Sequence, residues 1–175
     1  DPDFLVFLSV PESVIKERMK SRVVCPVCQT PRGLRLLRTK EVGYDEKKKE
    51  FYLICDTPSC KGARMVAKEG DELGIEAIRG RIEADQKVMH MLLGLQGIPK
   101  VYLRNAVPVK EAKKNVDDYE ITPAYRYVWD AKTKKVRVTE EPWVIKDDEG
   151  NPSYSLLPAA VAGSLIKQTA QVLGL

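Results

Sequence analysis

At 175 residues, 43 % of them apolar and 31 % charged, the chain is long enough for one domain, or a domain with an insert, and apolar enough to bury a core. Twenty-nine basic against 25 acidic side chains leave a net charge of +4, too little to argue for a nucleic-acid partner on charge alone. No charged leader with a long apolar centre and no run of about 18 apolar residues occurs, so the default reading is a soluble, cytoplasmic protein without a membrane span.

The first apolar run, Leu5 to Ser9, reads as a buried strand. A chain that enters a core strand this early, without an initiator Met, reads as part of a longer protein. Ser9-Val10-Pro11-Glu12 fits a helix start with Pro in the first turn, and the helix should reach about Arg22. Val14, Ile15 and Met19 would face the core, with Arg18 and Arg22 on another face. A small module follows, from about Arg22 to Arg64. Cys25-Pro26-Val27-Cys28 opens it and Cys55 and Cys60 close it. Between them Leu34 to Val42 and Phe51 to Ile54 should pair as a hairpin around the polar turn Tyr44 to Lys49.

Asp71 is placed to cap a long helix running to about Gln96, with Ile75, Ile78, Ile82, Met89 and Leu92 on one face. Gly97-Ile98-Pro99 ends it, and Lys100 to Leu103 reads as a second strand. Two strands separated by an insert and a helix predict an α/β core. Further on come a short charged helix at Lys110 to Asp118 and a hairpin of Ala124 to Trp129 with Val136 to Thr139. Tyr125, Tyr127 and Trp129 alternate along the first strand of that hairpin, so they should share one face and pack inward. A last helix begins at Pro158, with Val161, Leu165, Thr169 and Val172 along one side. The chain thus divides into a core strand and helix (1–22), a lid (23–68), a core helix and last strand (69–109) and a hairpin-plus-helix extension (110–175).

The cysteines carry the sharpest chemical signal. Cys25-x2-Cys28 and Cys55-x4-Cys60 bring four sulfurs to the two ends of one hairpin module, and structural zinc is tetrahedral and favours thiolates. For Cys60 to turn inward, Pro58 and Ser59 have to loop out. Four protein ligands leave no open position, so the predicted role is structural. A module of about 40 residues with few large apolar groups would depend on its metal to fold. A redox pair at Cys25 and Cys28 would leave Cys55 and Cys60 unexplained.

Between Ser13 and Lys40 stand eight basic residues (Lys16, Arg18, Lys20, Arg22, Arg32, Arg35, Arg38 and Lys40) against the single acid Glu17. The planar guanidinium fork binds two phosphate oxygens at once, so such a patch suits phosphate as well as plain solvation. Here the residues carry a family resemblance. Phe7-Leu8-Ser9-Val10-Pro11-Glu12-Ser13-Val14-Ile15-Lys16-Glu17-Arg18-Met19-Lys20-Ser21-Arg22 resembles the passage from the fourth core strand into the lid of the adenylate kinase family of nucleoside monophosphate kinases, including its zinc-lid type. Asp71-Glu72 and Glu76-Ala77-Ile78-Arg79-Gly80-Arg81-Ile82 resemble the helix after the lid, and Asn105-Ala106-Val107-Pro108-Val109 resembles the loop whose backbone meets the adenine.

The resemblance covers about residues 4–110 and implies a partial P-loop-kinase parallel-sheet core with an inserted zinc-ribbon-like lid. It implies phosphoryl transfer from ATP, with Mg²⁺, to a nucleoside monophosphate such as AMP. Arg22 and Arg81 would be the catalytic arginines. Arg18 would pack on the ATP base, Val107 would lie at the adenine, and Asp71 and Glu72 would orient the cations. Lys68 stands where the family has another lid Arg, and Pro31-Arg32 where it has Tyr-His. The chain contains no Gly-x4-Gly-Lys-Ser/Thr, so the resemblance also implies a missing N-terminal phosphate-loop half, without which this chain should be inactive. The alternative is a zinc-ribbon module that binds nucleic acid or protein without catalysis. It would use Arg32, Arg35 and Arg38 but leave Arg18, Arg22 and Arg81 unexplained. His90 reads as a structural or surface residue and Asp147-Asp148-Glu149 as a turn.

Overall fold

The computed structural model describes residues 3–175. In chain order its elements are strand β1 (Leu5–Ser9), helix α1 (Glu12–Lys20), strands β2 (Arg22–Val24), β3 (Pro31–Gly33), β4 (Val42–Asp45), β5 (Glu50–Leu53) and β6 (Val66–Ala67), then helix α2 (Arg79–Leu93). Strands β7 (Lys100–Arg104) and β8 (Ala106–Pro108), helix α3 (Val109–Asn115), strands β9 (Pro123–Asp130), β10 (Lys135–Pro142), β11 (Val144–Lys146) and β12 (Pro152–Ser155) and helix α4 (Pro158–Leu173) complete it. The fold is mixed α/β with small sheets. Among the described residues no helix is long and apolar enough to cross a membrane. The elements cluster into two compact units. One holds the residues up to Ile15, Ile75–Thr122 and Trp143–Leu175; the other holds Lys16–Gly74 and Pro123–Pro142.

In the first unit β1 and β7 pair in parallel, from Leu5 opposite Lys100 to Ser9 opposite Arg104. Phe7, Val101 and Leu103 are buried. The expectation that the first strand is buried throughout is corrected, because Val6 is 48 % and Leu8 53 % exposed. Parallel sheets cover both faces with crossover helices, and two strands have too few neighbours for that. Among the described residues the parallel pairing is confined to these two strands. Gln168 of α4 serves the outer edge of β7: its amide oxygen accepts from the Tyr102 N–H at 3.0 Å and its amide nitrogen donates to the Tyr102 carbonyl at 2.7 Å. Val161, Leu165, Thr169 and Val172 of α4 are half-buried, as the spacing predicts, and Gly174 ends the helix in the left-handed region.

The long helix expected from Asp71 is broken. Asp71–Ile78 is a 3-10 segment with Gly74 at φ 59° and ψ −151°, a conformation open essentially to glycine alone, and the α-helix starts at Arg79. Its stripe survives in weaker form: Ile75 is buried in the 3-10 segment, and Ile78, Ile82, Met89 and Leu92 are half-buried. The stretch around Val107, read as a loop, is strand β8. It pairs antiparallel with β12, placing Val107 opposite Tyr154, in a three-stranded sheet with β11. Asp147 closes the β11–β12 turn as predicted. Its carboxylate accepts from the Glu149 and Asn151 N–H groups, the Ser153 hydroxyl and the Arg104 guanidinium. Burial pushes its pKa up, yet these donors hold it below the ordinary value.

The second unit contains the β3-β2-β6 sheet and the hairpins β4–β5 and β9–β10. Helix α1 ends at Lys20, earlier than the periodicity suggests, so Arg22 opens a strand instead of sharing the helix with Arg18. The first hairpin is also shifted. Its leading strand begins only at Val42 and takes in Tyr44 and Asp45, which read as turn residues. The Asp45 carboxylate accepts from the N–H groups of Lys47 and Lys48, both at 3.1 Å, and so makes a tighter turn than composition suggested. The β9–β10 hairpin, assigned from sequence to the extension, belongs to this unit. Tyr127 donates its hydroxyl to the Leu34 carbonyl at 2.5 Å, the Tyr125 N–H donates to the Arg35 carbonyl at 2.8 Å, and Trp129 stacks on Tyr44 at 5.0 Å. The three aromatics share one face and pack inward, as their alternation predicts.

Candidate metal centre and the arginine–aspartate clasp

The first cysteine pair sits on a tight knuckle directly after β2. The Cys25 N–H donates to the Thr30 carbonyl, the Gln29 N–H donates back to the Cys25 carbonyl, and Gln29 takes a left-handed φ of 58°. The second pair sits on a wider loop after β5. Pro58–Cys60 forms one 3-10 turn, the Cys60 N–H donates to the Thr57 carbonyl at 2.9 Å, and Lys61 follows at φ 49°. Pro58 and Ser59 are exposed while Cys60 is buried, the looping-out that the x4 spacing requires.

The four sulfurs of Cys25, Cys28, Cys55 and Cys60 lie within 4.8 Å of one another, and none is in a disulfide. Cys28 and Cys55 approach to 3.7 Å. A tetrahedron of sulfurs about 2.3 Å from a central ion has edges of about 3.8 Å, so this group can hold one metal ion, and its donor set fits structural zinc. Cys25, Cys55 and Cys60 are themselves the core of the module, with Leu53 and Met65 as the only other buried members of the cluster. The titration of the sulfurs is uneven. Hydrogen bonds from the Thr30 hydroxyl and N–H pull Cys28 down to about 5, and those from Thr57 lower Cys55. Burial, followed by the neighbouring sulfurs, pushes Cys60 up to about 12. A dication reverses that penalty, because it supplies the positive charge the cluster otherwise lacks.

Arg22 and Asp71 flank this module in sequence, 49 residues apart, and are clasped in the structure. The Arg22 Nε donates to one carboxylate oxygen at 2.6 Å and its Nη2 to the other. The bidentate bond holds the Asp71 carboxyl below its ordinary pKa and raises that of Arg22. Asp71 therefore orients Arg22 instead of capping a helix. Of the other predicted site residues, Arg18 lies on α1 and Lys68 is exposed just after β6, both in the unit of the cysteines. Arg81, exposed on α2, and Val107 on β8 belong to the other unit. The arginine of α2 that is held by carboxylates is Arg79, which donates to Glu76 at 2.9 and 2.6 Å and to Glu12 at 3.3 Å. Sequence reasoning passed over Arg79, although Glu76 three residues before it on one helical turn was the available signal.

No family model, no curated protein and no solved structure matches this chain.

Proposed function

We propose that the chain is the lid-bearing, carboxy-terminal portion of an adenylate kinase-like nucleoside monophosphate kinase, which moves a phosphoryl group reversibly between ATP, as its Mg²⁺ complex, and AMP. The observation that carries this reading is the Arg22–Asp71 clasp beside the cysteine module. A carboxylate and a phosphate present the same two-oxygen edge to a guanidinium, so Asp71 holds Arg22 in the geometry a phosphoryl group would use. Phosphoryl transfer asks the protein for little covalent chemistry. It asks for positive charge around three equatorial oxygens and for exclusion of water. A metal-stiffened flap that carries Arg18 and Arg22 and swings over the nucleotide supplies both. The parallel pairing of β1 with β7, separated in sequence by that flap and α2, supports the same reading. The proposal requires a phosphate-binding loop from residues outside these 175, and its zinc is structural.

The test is ADP formation from ATP and AMP by the polypeptide that includes the upstream coding region. Arg22→Ala should lower kcat by about 10²–10³-fold, the scale for loss of one charge-stabilising donor, and Arg22→Lys should fold normally yet stay impaired. An upstream region without a Gly-Lys phosphate loop, or an Arg22→Ala protein with undiminished kcat, overturns the proposal.

A further inference from the structure

The net charge of +4 conceals an uneven division. Lys16–Gly74 together with Pro123–Pro142 carry 19 basic and 12 acidic residues, a net +7, which leaves the other unit at −3. Within this basic unit a groove of about 610 Å³ is lined by residues of the β4–β5 and β9–β10 hairpins. That volume falls inside the range of about 300–1,000 Å³ usual for ligand sites. Three lysines line it, Lys40, Lys134 and Lys135, against the single carboxylate Glu41, and three rings do so as well, Tyr44, Tyr52 and Trp129.

Two of these rings, Tyr44 and Trp129, belong to a ladder, while Tyr52 stands outside it beneath the Arg64 guanidinium. Tyr127, Phe51, Tyr44 and Trp129 follow one another at centroid separations of 5.5, 4.8 and 5.0 Å, and Trp129 is the last. The Lys134 ammonium lies next to it, 5.9 Å from the ring centroid and paired with Glu46. Among the described residues neither the Lys40 nor the Lys135 ammonium is in a salt bridge, although the Lys40 N–H donates to the Asp56 carboxylate at 2.8 Å.

We propose that this groove binds single-stranded nucleic acid, one base stacking on Trp129 as a fifth ring while Lys40, Lys134 and Lys135 meet phosphates. Single strands offer a planar face and a phosphate at every repeat, the chemistry that an aromatic and lysine-lined groove recognises. A duplex keeps its faces stacked internally, and an acidic peptide satisfies the lysines but not the ring. The site uses none of Arg18, Arg22 or Arg81, so it stands or falls apart from the phosphoryl-transfer reading.

The experiment uses the whole chain with zinc bound and a fluorescein-labelled ten-nucleotide oligouridylate, followed by anisotropy across a salt series, with tryptophan emission read on unlabelled oligonucleotide. Three phosphate contacts on a single strand give a log K against log salt slope of about −2. Lys40→Glu with Lys135→Glu should weaken binding at least tenfold and flatten that slope by about 1.4, while zinc content stays unchanged. Trp129→Phe keeps a ring in the ladder and should abolish the emission change; Arg22→Ala should alter neither signal. Absence of binding at low salt overturns the proposal, as does unchanged affinity in the double lysine variant. Equal competition by polyglutamate would make the groove an acidic-peptide site, and displacement by AMP alone would make it a mononucleotide site. Either result also overturns it.

Discussion

The two units solve the problem of a small core in opposite ways. The cysteine-bearing unit buries sulfur: three of the five buried residues of its core cluster are cysteines, and Leu53 and Met65 complete it. The other unit relies on conventional apolar packing around Phe7, Val14, Val101, Leu103 and Trp143, although neither α2 nor α4 contributes a fully buried residue. The contrast teaches that a cluster of four cysteines able to hold a dication can stand where a hydrophobic interior would, given tight turns at both cysteine pairs.

The largest expected effect breaks this contrast directly. Cys28→Ser, or a strong chelator, should unfold the cysteine-bearing unit, since metal binding in small zinc peptides is worth about 10–16 kcal/mol. Amide exchange should rise across β2 to β6 and stay unchanged in β1 and β7. Equal loss in both units would mean that the two share one cooperative transition. The converse substitution is Trp143→Ala, which removes a side chain only 3 % exposed. It should cost about 3–5 kcal/mol in urea unfolding of the apolar unit while zinc content stays constant.

Two smaller changes sharpen the picture inside the cysteine-bearing unit. Tyr127→Phe removes the hydroxyl that the Leu34 carbonyl accepts and should destabilise by about 1 kcal/mol, read as faster exchange along β9 with the metal retained. Asp71→Asn tests the clasp through pH. The Asp71 carboxyl is held low by Arg22, so its contribution is complete above the unfolded value near pH 4 and disappears as pH falls through the lower folded value. The Tm difference between wild type and Asp71→Asn should therefore be constant near neutrality and close toward zero in acid. The corresponding stability difference should stay under about 1 kcal/mol, because Arg22 is a third exposed. A difference that grows as pH falls would contradict the assigned sign.

How much was legible depended on the length over which a signal acts. The β9–β10 hairpin was readable because its aromatics alternate over several residues, and α4 because Pro158 starts a long periodic run. The break at Gly74 was not, since a single glycine inside an apolar helical pattern is ordinary, and its left-handed φ shows only in the backbone. The end of β4 was misplaced because the Asp45 side chain, by accepting two N–H groups, moved the start of the turn by two residues. At the candidate site the gathering of the four cysteines was legible from their spacing. Of the carboxylate partners of Arg79, Glu76 had a local signal in its spacing, whereas Glu12, 67 residues away in sequence, had none.

The sequence by itself determined the four-cysteine cluster, the cationic flank of the module and the existence of most helices and strands, because spacing and periodicity act within a few residues. Only the tertiary structure decided that Asp71 clasps Arg22 instead of capping a helix, that the late hairpin joins the cysteine unit, and that a mild net charge of +4 is a basic body of +7 with an acidic remainder. Each of these depends on pairing residues dozens of positions apart. That pairing is settled by the competition of whole surfaces for burial and partners, which no local window contains.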